Sequence, residues 1–142
     1  MPPITDMVRP MPYPEIYLPE PEDFHPIDSV RTMFVDAIDG PAAETIIERI
    51  QASTALMAAA QIRVLGGAMA RVDAEATAFA HRKSRIMLNV AAVYERAEEW
   101  TVHEPWVEEF AGALRGIDTG AYVNFLTDDG EERIRAAYPG AM

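Results

Sequence analysis

The amino-acid sequence predicts an α+β domain in which an antiparallel sheet carries helices on one of its faces. Two patterns support this prediction. Residues 85–94 place successive side chains on two different faces, as in a strand. Residues 43–50 and 103–115 instead have apolar side chains at helical spacing. Strand and helix patterns alternate without a long linker, and the length fits one domain better than two.

Composition limits the classes of function. The chain has 142 residues, 49% hydrophobic and 25% charged, which is enough for a packed core without disulfides or metal. It has no cysteine, so a thiol nucleophile and a cysteine-based metal site are excluded. The net charge of −11 repels phosphate backbones, so nucleic acid is not expected as a partner. We see no membrane-spanning run and no signal peptide, and we expect a cytoplasmic protein.

Residues 1–30 are predicted to form a proline-rich extended arm. Eight prolines lie within its first 26 residues. Proline removes a backbone donor and fixes φ, so a helix or a central strand does not fit there. Apolar side chains such as Tyr13, Tyr17 and Phe24 indicate that the arm lies across this domain or a partner. The α+β domain itself is expected to span residues 31–142.

The first part of the domain predicts a strand, a helix and a second strand. Residues 31–39 are predicted as a strand with apolar side chains on both faces. The helix that follows begins around Gly40, with a proline in its first turn. Residues 61–72 alternate like a strand but contain Gly66 and Gly67, which indicates a bulge or a close backbone approach.

The remaining elements complete the order. Residues 85–94 are the clearest strand, residues 103–115 an amphipathic helix and residues 121–127 another strand. Asp128 is predicted to cap a last helix over residues 130–138. The order β-α-β-β-α-β followed by a helix is that of a split βαβ, ferredoxin-like sheet. The second face of such a sheet is open unless something covers it.

The alternation in residues 85–94 assigns each side chain to a face. The predicted core set is Ile86, Leu88, Val90 and Ala92, packed against Ile46, Ile47, Ile50, Phe110 and Leu114. The set predicted on the open face is Met87, Asn89, Ala91 and Val93. A lone amide such as Asn89 on a mostly apolar face is able to orient a ligand. A half-exposed strand amide without a function is the simpler interpretation.

We find no self-contained catalytic set in the sequence. His25, His81 and His103 lack metal-binding spacing, so no metal site is expected and the catalytic residues stay unknown. Glu104 and Glu108 are one helical turn apart, and such a pair is usually a solvated helix face. No nucleophile elbow and no phosphate-binding glycine motif is present.

Several segments share their order and spacing with a known enzyme family. They are residues 11–14 (MPYP), 66–72 (GGAMARV), 76–82 (ATAFAHR), 122–125 (YVNF) and 128–138 (DDGEERIRAAY). Together they resemble the C-terminal, substrate-side region of the berberine-bridge-type FAD-linked oxidoreductases, a branch of the vanillyl-alcohol-oxidase superfamily. Each segment alone is a weak signal, whereas their common order from residue 7 to residue 138 makes the resemblance strong.

The resemblance implies a sheet that covers the flavin ring of FAD and shapes the substrate pocket. The substrate-binding candidates are then Asn89, Phe125, Met87 and Ala91, and the cofactor-proximal candidates are Tyr122 and Asn124. Many family members have a catalytic carboxylate at the position of Asn89 and a Tyr or His at that of Phe125. Neither residue of this chain is able to transfer a proton at neutral pH, so the usual proton abstraction is not expected from them.

The resemblance also implies that the flavin-binding half of such an enzyme is not part of this chain. The family's flavin-binding region, with its covalent attachments, precedes the matching segments, and the family continues past the last helix. The chain is therefore expected to need a separate flavin-binding half, to be inactive and to hold no flavin alone. By itself it is expected to form a homodimer through the open face or the arm.

Two alternatives stay open at this point. The first is a non-catalytic binding or assembly module that uses the open face for oligomerisation or for an apolar ligand. The second is a small cofactor-free enzyme of the dimeric ferredoxin-like kind, although a fold alone does not imply a function.

Overall fold

The computed structural model describes residues 9–17, 23–114, 120–126 and 130–139. It has an α+β fold with an antiparallel sheet, as predicted, and the sheet has three strands. In chain order the main elements are β1 (Ile27–Val35), α1 (Gly40–Gln51), β2 (Met57–Val64), β3 (Ile86–Tyr94), α2 (Trp100–Ala113) and α3 (Gly130–Ala137). None of the helices in these ranges is long and apolar enough to cross a membrane.

The central strand of the sheet is β3. It pairs antiparallel with β1 on one side and with β2 on the other. β1 and β2 therefore run parallel to each other with β3 between them, which is the arrangement of a split βαβ unit. α1 packs on β2, and α2 packs on β1 and β3.

Strand β1 begins four residues earlier than predicted. Every residue from Ile27 to Val35 pairs with a residue of β3, whereas residues 36–39 form the turn that leads into α1. The side chain of Asp39 accepts a hydrogen bond from the backbone N–H of Ala42 at 2.9 Å. Asp39 is thus the cap of α1 and not the end of a strand.

Strand β2 also differs from the prediction, because it spans Met57–Val64 in place of residues 61–72. Gly66 and Gly67 have positive φ angles of 137° and 62°, which glycine adopts readily. The two glycines therefore end β2 instead of forming a bulge within it. The chain continues in two short 3-10 turns.

The fourth strand, predicted for residues 121–127, is wrong for the part of it that the structure describes. Val123–Phe125 form a 3-10 turn. This turn follows Gly120, whose carbonyl accepts a hydrogen bond from the backbone N–H of Phe34 at 3.1 Å. The segment thus reaches the outer edge of β1, where a fourth strand would pair, but it turns away after that contact.

Helix α3 also contacts this edge. The guanidinium group of Arg133 donates a hydrogen bond to the carbonyl of Thr32 on the outer side of β1. Backbone groups at the edge of a sheet attract further strands unless they are covered, and here the N–H of Phe34 and the carbonyl of Thr32 are both bonded. The predicted cap of α3, Asp128, lies outside the described residues.

The core lies between the sheet and helices α1 and α2. Eight of the nine predicted core positions are confirmed as buried or packed at the core margin: Ile86, Leu88, Val90, Ala92, Ile46, Ile50, Phe110 and Leu114. The ninth, Ile47, is wrong, since it is 55% exposed. Successive residues of a helix are 100° apart, so Ile47 lies well to one side of the buried Ile46.

The described residues of the predicted arm are 9–17 and 23–30, and the last four of them belong to strand β1, where Ser29 is buried. Residues 9–17 are exposed throughout. Tyr13 and Tyr17 contact each other, with 2.6 Å between their hydroxyl oxygens, and this hydrogen bond raises the pKa of Tyr17. The arm's residues 1–8 and 18–22 lie outside the described ranges.

A charged cluster joins β1 to α2 on the core face. The guanidinium group of Arg31 donates to a carboxylate oxygen of Glu108 at 2.6 Å and to one of Glu104 at 2.5 Å. The Arg31 side chain is only 13% exposed. Glu104 and Glu108 are therefore more than the solvated helix face that the sequence suggested, because they bind an arginine of the neighbouring strand.

Replacing Arg31 with alanine is expected to lower the free energy of unfolding by about 1–3 kcal/mol, because two neighbouring, part-buried carboxylates lose their shared cation. Urea denaturation followed by circular dichroism measures the loss. Arg49→Ala is the control, since Arg49 and Glu109 form an exposed pair at 3.3 Å, and such pairs contribute less than about 1 kcal/mol. Equal losses for the two variants would contradict this assignment.

Candidate functional site

The predicted site lies on the sheet face opposite α1 and α2. The strand register places Met87, Asn89, Ala91 and Val93 on this face. The face is less open than expected, since Met87, Asn89 and Ala91 are each less than 10% exposed. Their roles in binding a substrate stay a prediction.

This face is partly covered by residues 120–126, which we call the crossing segment. The segment begins beside Phe34 at the edge of β1. Its Phe125 ring lies 5.5 Å from the guanidinium carbon of Arg63 on β2. Phe34 and Arg63 are the register neighbours of Met87 on either side, so the segment passes over this row of the sheet. Met87, which lies between Phe34 and Arg63, is 8% exposed.

A stack of aromatic rings holds the crossing segment. The imidazole ring of His81 stacks on Phe34, with 4.3 Å between ring centroids and 17° between ring planes. Its Nε2 atom lies 3.0 Å from the carbonyl oxygen of Ala136 in α3. Phe79 and Tyr122 meet edge to face at 5.8 Å. His81 is therefore a packing residue, as expected for an isolated histidine.

Gly120 allows His81 to approach the segment. A Cβ atom at Gly120 would lie 2.1 Å from Cε1 of His81, far inside any van der Waals contact. A side chain at this position would displace the imidazole ring or the segment. No group of three or more histidine or acidic residues in the described parts of the chain is arranged to hold a metal ion.

Asn89 lies in the next row of the sheet, between Thr32 on β1 and Gln61 on β2. The hydroxyl of Thr32 donates to Oδ1 of Asn89 at 2.9 Å, and both side chains are buried. This bond fixes the plane of the amide and leaves the Nδ2 donors for a ligand oxygen. Because an amide does not take up a proton at neutral pH, Asn89 is suited to orienting a substrate and not to acid–base catalysis.

The turn within the crossing segment brings three further candidates together. The amide nitrogen of Asn124 donates to the hydroxyl of Tyr122 at 2.9 Å. The rings of Tyr122 and Phe125 are 5.7 Å apart. Tyr122 is half-buried and Asn124 is exposed. The six predicted site residues thus occupy one side of the sheet, three in β3 and three in the turn that passes over it.

A pocket of about 230 Å³ opens between the crossing segment, the end of α3 and the loop before β3. Its aromatic walls come from Phe79, His81, Tyr122 and Tyr138. Among the predicted site residues only Tyr122 lines it. The sequence indicated the phenylalanine–histidine motif but not the pocket, because Phe79 and Tyr138 are far apart in the chain.

The fold of this chain is similar to part of several solved structures of oxidoreductases. No protein-family profile matches the chain, and no curated protein matches it significantly. Several solved structures, in contrast, do match this chain. Glycopeptide hexose oxidase DBV29, solved with teicoplanin, has a TM-score of 0.73 and 16% identity, over 82% of this chain and 28% of that chain.

Two other solved structures have the same fold in this region. Aclacinomycin oxidoreductase gives a TM-score of 0.68 at 16% identity, and 80% of this chain matches 27% of that chain. GilR, an oxidoreductase that catalyses the terminal step of gilvocarcin biosynthesis and was solved with pregilvocarcin, gives 0.63 at 18% identity with the same coverage.

These neighbours are FAD-linked oxidoreductases of the vanillyl-alcohol-oxidase type, which the sequence motifs resemble. Because the sequence identities are only 16–18%, the similarity shows a shared fold. The resemblance that the sequence motifs indicated is therefore confirmed for the fold. The chain spans little more than a quarter of the length of the structures it matches.

Replacing Gly120 with alanine is expected to lower the free energy of unfolding by about 1–3 kcal/mol, because the new methyl group overlaps His81. Gly112→Ala is the matched control, since a Cβ there meets nothing within 4 Å. Its position inside α2 should make it neutral or stabilising by up to about 1 kcal/mol. Urea denaturation measures both, and a Gly120→Ala variant as stable as the parent would contradict the close contact.

Proposed function

We propose that this chain is the substrate-domain portion of a flavin-dependent oxidoreductase and that it acts together with a flavin-binding half. The fold supports the proposal most directly, because 82% of the chain matches 28% of a glycopeptide hexose oxidase. The two further neighbours are named as oxidoreductases. The motifs that resemble the berberine-bridge-type enzymes point to the same class independently of the fold.

The sheet face suits a substrate with an apolar or aromatic frame and a hydroxyl group. Met87 and Ala91 offer apolar contacts, Phe125 offers an aromatic ring and Asn89 offers the amide donors. Binding sites for small molecules are typically apolar with a few well-placed polar groups. Two neighbours were solved in complex with teicoplanin and with pregilvocarcin, and we propose a substrate of similar bulk here.

In this proposal FAD supplies the hydride acceptor for oxidation of an alcohol. The Nδ2 group of Asn89 donates to the substrate hydroxyl oxygen, while the hydrogen bond from Thr32 keeps the amide in place. Asn89 and Phe125 do not accept a proton, so the proton acceptor belongs to the flavin-binding half. The role of this chain is thus to orient the reacting carbon towards the cofactor.

Tyr122 and Asn124 are proposed as the residues nearest to the cofactor. They form the accessible rim of the crossing segment, where an aromatic ring and an amide suit a flat heterocycle. The sequence has no cysteine for a covalent flavin bond and no glycine-rich motif for the phosphates of FAD. We therefore assign the binding of most of the cofactor to the flavin-binding half.

Affinity purification of the tagged chain from its natural source tests this proposal. A flavin-containing polypeptide, either continuous with the chain or bound to it in equal amount, is expected, with a visible flavin absorption band. The complex should reduce oxygen when given an alcohol substrate. Recovery of the chain with a flavin-free partner, or without flavin and oxidase activity, would contradict the proposal and favour the binding or assembly module.

In the flavin-containing complex, Asn89→Leu is expected to lower kcat/KM at least tenfold, because the substrate hydroxyl loses its hydrogen-bond donor. Steady-state oxygen consumption measures the change, and the flavin absorption band confirms that the complex is still intact. Glu44→Gln on the outer surface of α1 is the control and should leave the rate unchanged. Full activity of the Asn89→Leu complex would show that Asn89 does not bind the substrate.

A further inference from the structure

The cations of residues 63–85 differ from other cations of the chain in their ion pairing. Elsewhere, five arginines each lie 3.9 Å or less from a carboxylate: Arg9, Arg31, Arg49, Arg96 and Arg135. Within residues 63–85, in contrast, five cations have no carboxylate partner in the described parts of the chain: Arg63, Arg71, Arg82, Lys83 and Arg85. This stretch is locally positive in a chain whose net charge is −11.

One of these cations, Arg63, lies on the same face of the sheet as Asn89. Gln61 is the register partner of Asn89 and Arg63 that of Met87, so Gln61 and Arg63 occupy neighbouring rows of this face. The guanidinium group of Arg63 donates to Oε1 of Gln61 at 2.7 Å, and its central carbon lies 5.5 Å from the centre of the Phe125 ring. Two contacts thus hold the cation beside the candidate site.

The polar groups in these two rows are mainly hydrogen-bond donors. A guanidinium group has five N–H donors and no acceptor, and the bond to Gln61 uses one of them. The amide oxygens of Gln61 and Asn89 both accept bonds from neighbouring side chains. Their amide nitrogens have no acceptor among the described residues. A cation next to two amide donors is suited to a molecule with negatively charged oxygens.

Arg85 increases the positive potential at this end of the face. Its carbonyl accepts a hydrogen bond from the backbone N–H of Leu65 at 2.8 Å, so the ladder between β2 and β3 extends to this pair. The alternation of β3 then puts Arg85 on the same face as Met87. Arg85 and Arg63 are therefore diagonal neighbours, roughly 7–8 Å apart. Two like charges at this spacing repel each other, and a nearby anion offsets the repulsion.

A carboxylate suits this position better than a more highly charged anion. Its two oxygens accept parallel N–H bonds from one guanidinium group. It has a single negative charge, whereas a phosphate monoester has almost two at neutral pH. The net charge of −11 repels the more highly charged group more strongly, so a local cation compensates for a carboxylate more easily.

We propose that the substrate is an alcohol with a carboxylate group, which Arg63 binds while Asn89 orients the reacting hydroxyl. This inference rests on the function proposed above, in which Asn89 binds the substrate. Two residues along a strand span about 7 Å, so the hydroxyl and the carboxylate are expected to be separated by roughly that distance. Gln61 is a positioning residue, because its amide oxygen holds the guanidinium group of Arg63.

Binding of a probe pair to the isotope-labelled full chain, followed by NMR, tests the carboxylate site directly. The para-(hydroxymethyl)benzoate anion has its alcohol and its carboxylate at opposite ends of a ring, and para-(hydroxymethyl)benzamide has the same shape without the charge. The benzoate is expected to bind at least tenfold more tightly, with shifts at Gln61 and Asn89. Added salt should weaken binding of the benzoate and not that of the benzamide.

Three variants separate the role of Arg63 from a general attraction of anions. Arg63→Gln should abolish the preference for the benzoate, whereas Arg63→Lys should keep part of it, because lysine keeps the charge and loses the two-pronged geometry. Arg49→Gln is the control, since Arg49 pairs with Glu109 on the helical side of the sheet, and it should keep the full preference. Circular dichroism confirms the fold of each variant. Equal affinities for the two probes, or a preference that survives in folded Arg63→Gln, would overturn the proposal.

The same probes in the flavin-containing complex distinguish this proposal from the proposed function. The ratio of kcat/KM for the benzoate to that for the benzamide is expected to be at least tenfold, and Arg63→Gln should bring it close to one. A complex that oxidises both alcohols equally well would contradict the carboxylate site and leave the oxidoreductase function in place. A chain that prefers the benzoate but is recovered without flavin or oxidase activity would support the carboxylate site and contradict the oxidoreductase function.

Discussion

The close contact between His81 and Gly120 is the constraint on which the rest of this fold depends. It is possible only because position 120 has no side chain, and it places the imidazole ring flat on Phe34. The carbonyl of Gly120 then pairs with the backbone of β1, and the chain continues across the sheet to Arg63. This contact thus holds the start of the crossing segment against the end of β1.

The sheet is asymmetric in two ways. The end of β1 is contacted by the crossing segment and α3 while the side chains of β2 are largely exposed, and one face is packed by helices while the other is crossed by a single segment. The crossing covers the row of Met87 and leaves Asn89 in the next row, held by Thr32. The polar group on this face is therefore rigid and neutral, which suits orientation of a substrate more than transfer of a proton.

The sequence predicted the features that depend on local periodicity. The alternation of β3 identified its two faces and the position of Asn89, and helical spacing identified most of the core. Ile47 was wrong because the apolar stripe of α1 is wider than the surface it buries. The strand predicted at residues 121–127 was wrong because residues 123–125 form a 3-10 turn, and the neighbouring Gly120 contacts His81, which is far away in the sequence. Thr32 and Asn89 are 57 positions apart, so their bond required the three-dimensional register.

The central claim is that the face carrying Asn89 and the crossing segment meets a flavin-binding half. Hydrogen–deuterium exchange, measured on the chain alone and within the purified complex, tests it most directly. We expect slower exchange at residues 120–126 and in the Thr32–Asn89 region, with little change in α1 and α2. Protection confined to the helices, or unchanged exchange at residues 120–126, would contradict the claim.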